Sequence, residues 1–189
     1  MISTADVKNN TVFEDEDGII YQVIAYQHHR KSQSAAVYRM TLRNLATGNV
    51  VEKSYASGTK FRDVPVTKRE LMYSYDEGSM GVFIDQQTYE EIRFPKDKLG
   101  EESKFLHENM EVLGVYIDEK LTSIELPANV VLTVTFSEPG VKGDSVSNMN
   151  KRATLNTGLE ISVPLFVKEG DRIRVDTRTS SYVERVKDE

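Results

Sequence analysis

Residues 151–170 read KRATLNTGLEISVPLFVKEG and contain a strand-like segment at residues 159–163. Further strand-like segments lie around this stretch, at residues 130–136, 172–176 and 181–186. The loops between them contain Pro139-Gly140 and Gly143-Asp144-Ser145, which are residue types that favour turns. Short strands at intervals of roughly 8 to 12 residues, separated by turns, predict a small β-barrel over residues 128–189.

The chain before residue 128 divides at Pro65 into two pieces with the same strand and turn signals. In residues 1–64 the predicted strands are 12–13, 19–25, 37–45 and 50–55, and in residues 65–127 they are 71–75, 82–85, 112–117 and 121–125. Residues 95–110 interrupt the second series, and Pro95 suits the start of a helix there. A five-stranded barrel with one helix between strands is the oligonucleotide/oligosaccharide-binding (OB) pattern. We therefore predict an all-β protein of three small β-barrel domains: 1–64, 65–127 and 128–189.

Composition excludes several classes of protein. The chain has 189 residues, of which 39% are hydrophobic and 29% charged, so it can form packed, soluble domains. It has no cysteine and only three histidines, which excludes disulfides and thiolate zinc sites and leaves little for a histidine metal site. Neither a signal peptide nor a membrane-spanning segment is evident in the sequence. We expect a cytoplasmic protein with no membrane contact, no metal and no cofactor.

Charge is distributed unevenly along the chain. The formal net charge is −6, and the acidic excess lies mainly in residues 65–127. From His28 to Arg62, in contrast, the only acid is Glu52, and seven cations accompany it: Arg30, Lys31, Arg39, Arg43, Lys53, Lys60 and Arg62. Such a region attracts phosphate over about 8 Å at physiological salt, although a solvated basic surface is the alternative. The acidic run at residues 14–17 is interpreted as the solvated tip of the first hairpin, closed by Asp17-Gly18.

Residues 28–36, HHRKSQSAA, lie between two predicted strands and are polar and cationic. The pattern predicts a projecting hairpin loop, here called the tip loop. Loops on a rigid scaffold often carry contact residues, and an ordinary exposed turn is the alternative. His28 and His29 are adjacent on a strand and would point to opposite faces, which disfavours a shared metal site.

Residues 151–170 also carry a spaced pattern: Lys-x-Ala, four residues, Gly, an aliphatic residue, Val-Pro, an aliphatic residue and Gly. This stretch resembles the signature of the bacterial elongation factor P family. The resemblance extends to residues 139–145 and 176–186, and back through residues 89–92 and 44–53, so it covers essentially the whole chain.

The resemblance implies a KOW-like (SH3-like) first domain followed by two OB domains, in an L-shaped arrangement similar to tRNA. It implies a monomeric translation factor that is not an enzyme. Its partners would be the 70S ribosome, P-site peptidyl-tRNA and ribosomal RNA. Such a factor binds between the P and E sites and stabilises peptidyl-tRNA, which promotes peptide-bond formation at polyproline stalls.

The resemblance also assigns the tip loop to the acceptor end of the tRNA at the peptidyl-transferase centre. The implied contact residues are Arg30, Lys31, Ser32, Gln33 and Ser34. Family members carry a lysine or arginine at the tip, often modified, whereas Gln33 occupies that position here. Glutamine has an amide donor and acceptor but no amine to extend.

Three interpretations of this departure stay open. Unmodified Gln33 hydrogen-bonds to the tRNA end while Arg30 and Lys31 neutralise phosphates. Alternatively, Lys31 or Arg30 carries a modification in a shifted register. In the third, the chain is a divergent paralogue with a different ribosomal role.

Contacts in the last domain follow from the same resemblance. The Gly143-Asp144-Ser145 loop is similar to the family's Gly-Asp-Thr loop, which implies a contact near the exit-site codon. Tyr182 and Arg185 match a terminal segment that faces ribosomal RNA. A turn role for Asp144 and a packing role for Tyr182 are the alternatives.

Two other functional classes can be compared with a translation factor. A general single-stranded nucleic-acid-binding OB protein needs aromatic platforms beside basic grooves. The chain has no tryptophan, and its middle domain is acidic, which disfavours that class. An enzyme is disfavoured because no nucleophile and base occur at a recognisable spacing.

Overall fold

The structure is a computed structural model that describes residues 1–29, 36–139 and 150–187. Three β-sheets follow one another along the chain. The first has six strands: β1 (Ile2–Ser3), β2 (Val12–Glu14), β3 (Ile20–His29), β4 (Val37–Asn44), β5 (Val50–Ala56) and β6 (Lys60–Asp63). All pairs are antiparallel, in the order β1-β6-β2-β3-β4-β5. Phe13 packs at the centre of this sheet's core, with its ring centroid 4.2 Å from that of Phe61.

The second sheet has five strands and two short 3₁₀ helices. They are β7 (Thr67–Glu77), β8 (Met80–Asp85), β9 (Glu91–Pro95), η1 (Lys96–Lys98), η2 (Gly100–Phe105), β10 (Glu111–Ile117) and β11 (Lys120–Glu125). The order β11-β10-β7-β8-β9 places the first strand of the domain between its second and fourth strands. The predicted helix over residues 95–110 is wrong: this segment forms two short 3₁₀ helices instead of one longer helix. Gly100, with φ of +58°, separates them.

The third sheet repeats the connectivity of the second. Its strands are β12 (Asn129–Ser137), β13 (Asn150–Leu155), β14 (Glu160–Pro164), β15 (Arg172–Asp176) and β16 (Ser181–Val186). The order β14-β13-β12-β15-β16 again puts the first strand between the second and the fourth. The outer strands β14 and β16 approach each other, which curls the sheet towards a barrel. The apolar cores of the second and third sheets form one continuous cluster, whereas the core of the first sheet is separate.

The prediction of an all-β protein is confirmed. Every predicted strand is present, but four strands were not predicted: β1, β6, β9 and β13. In the described part of the chain no helix is long and apolar enough to cross a membrane.

The acidic hairpin at residues 14–17 differs from its prediction. Asp15 is buried rather than solvated and accepts hydrogen bonds from Lys53 Nζ at 2.8 Å and from the Tyr55 hydroxyl at 2.7 Å. Lys53 Nζ also donates to Asp17 at 2.8 Å and lies 4.6 Å from the Tyr21 ring centroid. Lys53, on β5, therefore neutralises these two acids, and it ties the β2–β3 hairpin to the far side of the sheet.

These contacts change the ionisation of the groups involved. The hydrogen bond from Lys53 holds the pKa of the Asp17 carboxyl below its ordinary value of 3.8. Partial burial alone would lower the pKa of Lys53, but its hydrogen bonds to Asp15 and Asp17 outweigh burial and raise that pKa above its usual range. Both groups are therefore charged at neutral pH.

Lys53→Met is expected to destabilise the first domain by about 2 kcal/mol at neutral pH, because it leaves Asp15 buried without a counter-charge. The loss should be smaller near pH 3. The folded-state pKa of Asp17 is lowered, so its contribution is present above about pH 4 and disappears as the pH falls through that pKa. Urea denaturation at both pH values measures the difference. The control is Lys60→Met, which changes an exposed lysine of β6; an equal loss at both pH values for Lys53→Met would contradict the prediction.

Candidate functional site

The hairpin formed by β3 and β4 carries the tip loop at its end. Its strands pair without interruption from Ala25, opposite Thr41, to His29, opposite Val37. A register shift between Val23 and Ala25 bends the hairpin below this paired region. The β-branched and aromatic residues of both strands favour this extended pairing. His28 and His29, the first two residues of the predicted tip loop, are thus the last paired residues of β3. The rest of the tip loop follows a long two-stranded support.

Both ends of the tip loop are held in place. The His28 ring stacks on that of its cross-strand partner Tyr38, with centroids 4.5 Å apart and an interplanar angle of 23°. On the other side, the Ser57 amide donates to the Ala36 carbonyl at 2.8 Å. The predicted contact residues Arg30, Lys31, Ser32, Gln33 and Ser34 lie outside the described residues.

The positive region predicted from His28 to Arg62 contains fewer free charges in the structure than in the sequence. Three of its predicted phosphate-attracting cations are paired with acids: Lys53 with Asp15 and Asp17, Arg62 with Glu14 at 3.3 Å, and Arg43 with Glu102 at 3.1 Å. Such pairing cancels most of their field. Among the described cations of this region, Arg39 lies closest to the tip loop; it is exposed on β4 opposite Gln27. Fewer cations of this domain are therefore available to attract phosphate than the sequence predicted.

In the third domain two predicted contact residues, Tyr182 and Arg185, lie against the same aromatic side chain, Phe166. Tyr182 contacts Phe166 edge-on at a centroid distance of 6.5 Å, and the Arg185 guanidinium lies 5.6 Å from the Phe166 centroid. Arg185 Nη1 also lies 3.6 Å from Asp171 Oδ2. Phe166 is 56% exposed despite these contacts. We call Phe166, Tyr182 and Arg185 the aromatic-arginine surface.

This surface combines two physical properties. An exposed aromatic face beside a guanidinium can stack with a nucleobase while the charge attracts phosphate. Tyr182 is half-buried and packs against the core, so the predicted packing role also applies to it. Sequence reasoning missed Phe166, although it lies within residues 151–170 just after the end of β14. Gly143, Asp144 and Ser145 lie outside the described residues.

The second domain has an acidic cavity. Its volume is about 310 Å³, and its lining includes Glu70, Glu111 and Glu125. Lys68 Nζ donates to Glu125 at 2.9 Å and offsets one of these charges, but the remaining carboxylates still disfavour a nucleic-acid backbone here, which counts against a general single-strand binder that uses this barrel. Across the described ranges, no group of three or more His, Asp or Glu residues could hold a metal ion.

Comparison with known protein families gives matches along nearly the whole chain. Three family models match: Elongation factor P KOW-like domain at residues 3–61, Elongation factor P OB domain at residues 66–124, and Elongation factor P C-terminal at residues 130–185. With the strand orders above, these matches confirm the predicted KOW-like domain and OB domains.

Full-length relatives agree with the family models. The chain is 51% identical to elongation factor P of Elusimicrobium minutum over 98% of this chain and 100% of that protein. It is 45% identical to elongation factor P of Endomicrobium trichonymphae over the same shares. The identity to elongation factor P of Natranaerobius thermophilus is 42% over 100% of both chains.

Proposed function

Because this chain belongs to the elongation factor P family, we propose that it binds the 70S ribosome between the P and E sites and promotes peptide-bond formation at polyproline stalls. Its partners would be peptidyl-tRNA and ribosomal RNA, and it would act as a monomer in the cytoplasm. The observation that carries the proposal is the long β3–β4 hairpin, paired up to His29 and Val37, in a chain that matches the family from end to end. We also propose domain boundaries at residues 64/65 and 127/128, between the sheets.

The mechanism is substrate positioning. Proline is a conformationally locked secondary amine, so peptide-bond formation between consecutive prolines suffers from poor geometry. A factor that holds the acceptor end of peptidyl-tRNA in reactive alignment removes part of the entropic barrier. It needs no nucleophile or base of its own, so we propose that the chain is not an enzyme.

The contact residues divide by role. Arg30 and Lys31 would neutralise phosphates at the acceptor end, and Gln33 would hydrogen-bond there through its unmodified amide. Ser32 and Ser34 would flank that contact. In the third domain, the aromatic-arginine surface would face ribosomal RNA, and the Gly143-Asp144-Ser145 loop would lie near the exit-site codon.

A divergent paralogue with a different ribosomal role is the second candidate. Residues 31–34 read KSQS and place glutamine at position 33, where the family carries a lysine or arginine. A shifted modification on Lys31 or Arg30 would restore a longer cation within the same function. The mass of the protein purified from its native cells tests the modification, because a mass equal to that of the encoded sequence excludes it.

Unmodified wild-type protein is expected to speed translation through a triple-proline message by about tenfold in a reconstituted system. Gln33→Ala should lose most of this gain, since it removes the amide donor and acceptor. The matched control is Gln87→Ala, a change at an exposed glutamine of the β8–β9 turn, and it should behave as wild type. If the wild-type protein binds ribosomes but leaves the stall unchanged, the paralogue interpretation replaces the rescue function. If it binds naked oligonucleotides as tightly as ribosomes in co-sedimentation, a general single-strand-binding role replaces the rescue function.

A further inference from the structure

The contact between the first and second domains includes an ion pair whose arginine is buried and whose glutamate is partly exposed. Arg43 on β4 points out of the first sheet, and its side chain is only 8% exposed. Its Nη1 donates to Glu102 Oε2 at 3.1 Å, and its Nη2 lies 3.5 Å from the Leu99 carbonyl oxygen. Both acceptors belong to the 3₁₀ segment of the second domain. A guanidinium that bonds two acceptors through two of its nitrogens constrains orientation as well as distance.

A second buried polar contact lies beside the first. The Ser123 hydroxyl on β11 donates to Gln22 Oε1 on β3 at 2.8 Å. Both residues are buried, although they are 101 positions apart in the chain. A buried hydrogen bond between neutral groups is directional and costly to break. The two domains are therefore joined through oriented polar groups on two different strands.

A third contact brings the two backbones together. Gly48, in the turn between β4 and β5, has φ of +80°. A Cβ atom built on it would lie 2.7 Å from the Cα of Lys98. Only glycine combines this backbone conformation with so close an approach. The first domain therefore packs against the 3₁₀ segment without space for a side chain.

These contacts lie at the base of the β3–β4 hairpin, where a small rotation is amplified at its far end. Gln22 and Arg43 are directly opposite each other in the β3–β4 register, at the base of the same hairpin that ends at His29 and Val37. The strand from Arg43 to Val37 is about 20 Å long at ~3.4 Å per residue. A rotation of about 5° at the base would therefore move the end of the hairpin by about 2 Å.

We infer that Gln22 and Arg43 are positioning residues, which fix the direction of the β3–β4 hairpin relative to the second domain and so place the tip loop at the peptidyl-tRNA end. This inference rests on the proposed function. Buried polar and ionic pairs add little net stability compared with apolar packing, but they can specify one geometry. The separate apolar core of the first domain is consistent with this, since the second and third domains instead share one continuous core.

The distance between the hairpin and the second domain tests the inference directly. The chain has no cysteine, so Val37→Cys and Lys120→Cys introduce a unique pair of spin-label sites at exposed positions in the two domains. Pulsed electron paramagnetic resonance should give one narrow distance for this labelled pair. Adding Arg43→Met with Gln22→Leu should broaden or shift the distribution by several ångströms. Adding Arg93→Met should leave it unchanged, because Arg93 pairs with Glu77 within the second domain, away from both labels.

Rescue kinetics provide the functional measurement, made without labels. Arg43→Met with Gln22→Leu should lower the maximal rate of triple-proline translation by about tenfold, with little change in the half-saturating concentration, because misplacement affects alignment rather than ribosome binding. A merely structural role would lower both through loss of folded protein, which thermal unfolding detects. Glu102→Gln weakens the same contact from the second domain, and it replaces the double variant if the latter does not fold.

The outcomes are distinct. An unchanged distance distribution overturns the inference, as does a broadened distribution with an unchanged maximal rate. Failure of the wild-type protein to rescue any stall contradicts the proposed function. In that case the distance measurement by itself still decides whether Gln22 and Arg43 set the direction of the hairpin.

Discussion

Phe13→Ala is expected to lower the free energy of unfolding of the first domain by about 4 kcal/mol. Phe13 is 0% exposed and lies among three aromatic rings, with centroid distances of 4.2 Å to Phe61, 6.3 Å to Tyr21 and 6.4 Å to Tyr55. Alanine would leave a cavity that these large, mutually packed rings cannot fill. Because small domains are stable by only about 5 to 15 kcal/mol, the loss is a large part of the total.

Hydrogen exchange resolved by peptide would locate this effect. Protection should fall in the strands of the first sheet and be retained in the third, because the core of the first sheet is separate. Urea denaturation gives the size of the loss. Phe136→Ala is the matched control: Phe136 is 54% exposed on β12, and its loss should cost under about 0.5 kcal/mol. A loss below about 2 kcal/mol for Phe13→Ala would mean that the core relaxes into the space.

The strands that were predicted from sequence are those with clear apolar patterns. The strands of the β3–β4 hairpin and the first strands of the two OB domains are long and rich in β-branched and aromatic residues, so local preference and burial agree. The strands that were missed lack this signal. β1 has two residues, β6 reads KFRD with one buried side chain, and β9 ends on Pro95. Such segments become strands because a neighbouring strand offers hydrogen-bonding groups, which no local pattern reveals.

Charged residues were harder to place than apolar ones. The sequence showed that Arg43 and Lys53 are cations in a basic region, but their acidic partners are 59 and 38 positions away, respectively. Only the tertiary fold decides which cation meets an acid and which faces solvent. The roles of the tip residues came from the family resemblance and stay predictions. Phe166 could have been noticed as an aromatic side chain in a loop between Pro164 and Gly170, where no apolar periodicity demands burial.

Replacing residues 30–35 with a glycine-serine segment of equal length is expected to abolish rescue of a triple-proline stall. The maximal rate should fall to that measured without factor, because the groups proposed to align the acceptor end are all removed. Ribosome binding should weaken only modestly, since the aromatic-arginine surface is intact and two cations account for few phosphate contacts. Rescue kinetics and co-sedimentation on the same preparation measure both quantities.

Tyr182→Ala combined with Arg185→Ala is the reciprocal control. It leaves the hairpin unchanged but removes a guanidinium and an aromatic group from the third domain, so the half-saturating concentration should rise while the maximal rate is retained at high factor concentration. If the factor acted merely by occupying its site, both variants would lose activity only through weaker binding, and saturating concentrations would restore it in each. Because alignment by the tip loop is a separate requirement from occupancy, only the loop replacement should resist saturation.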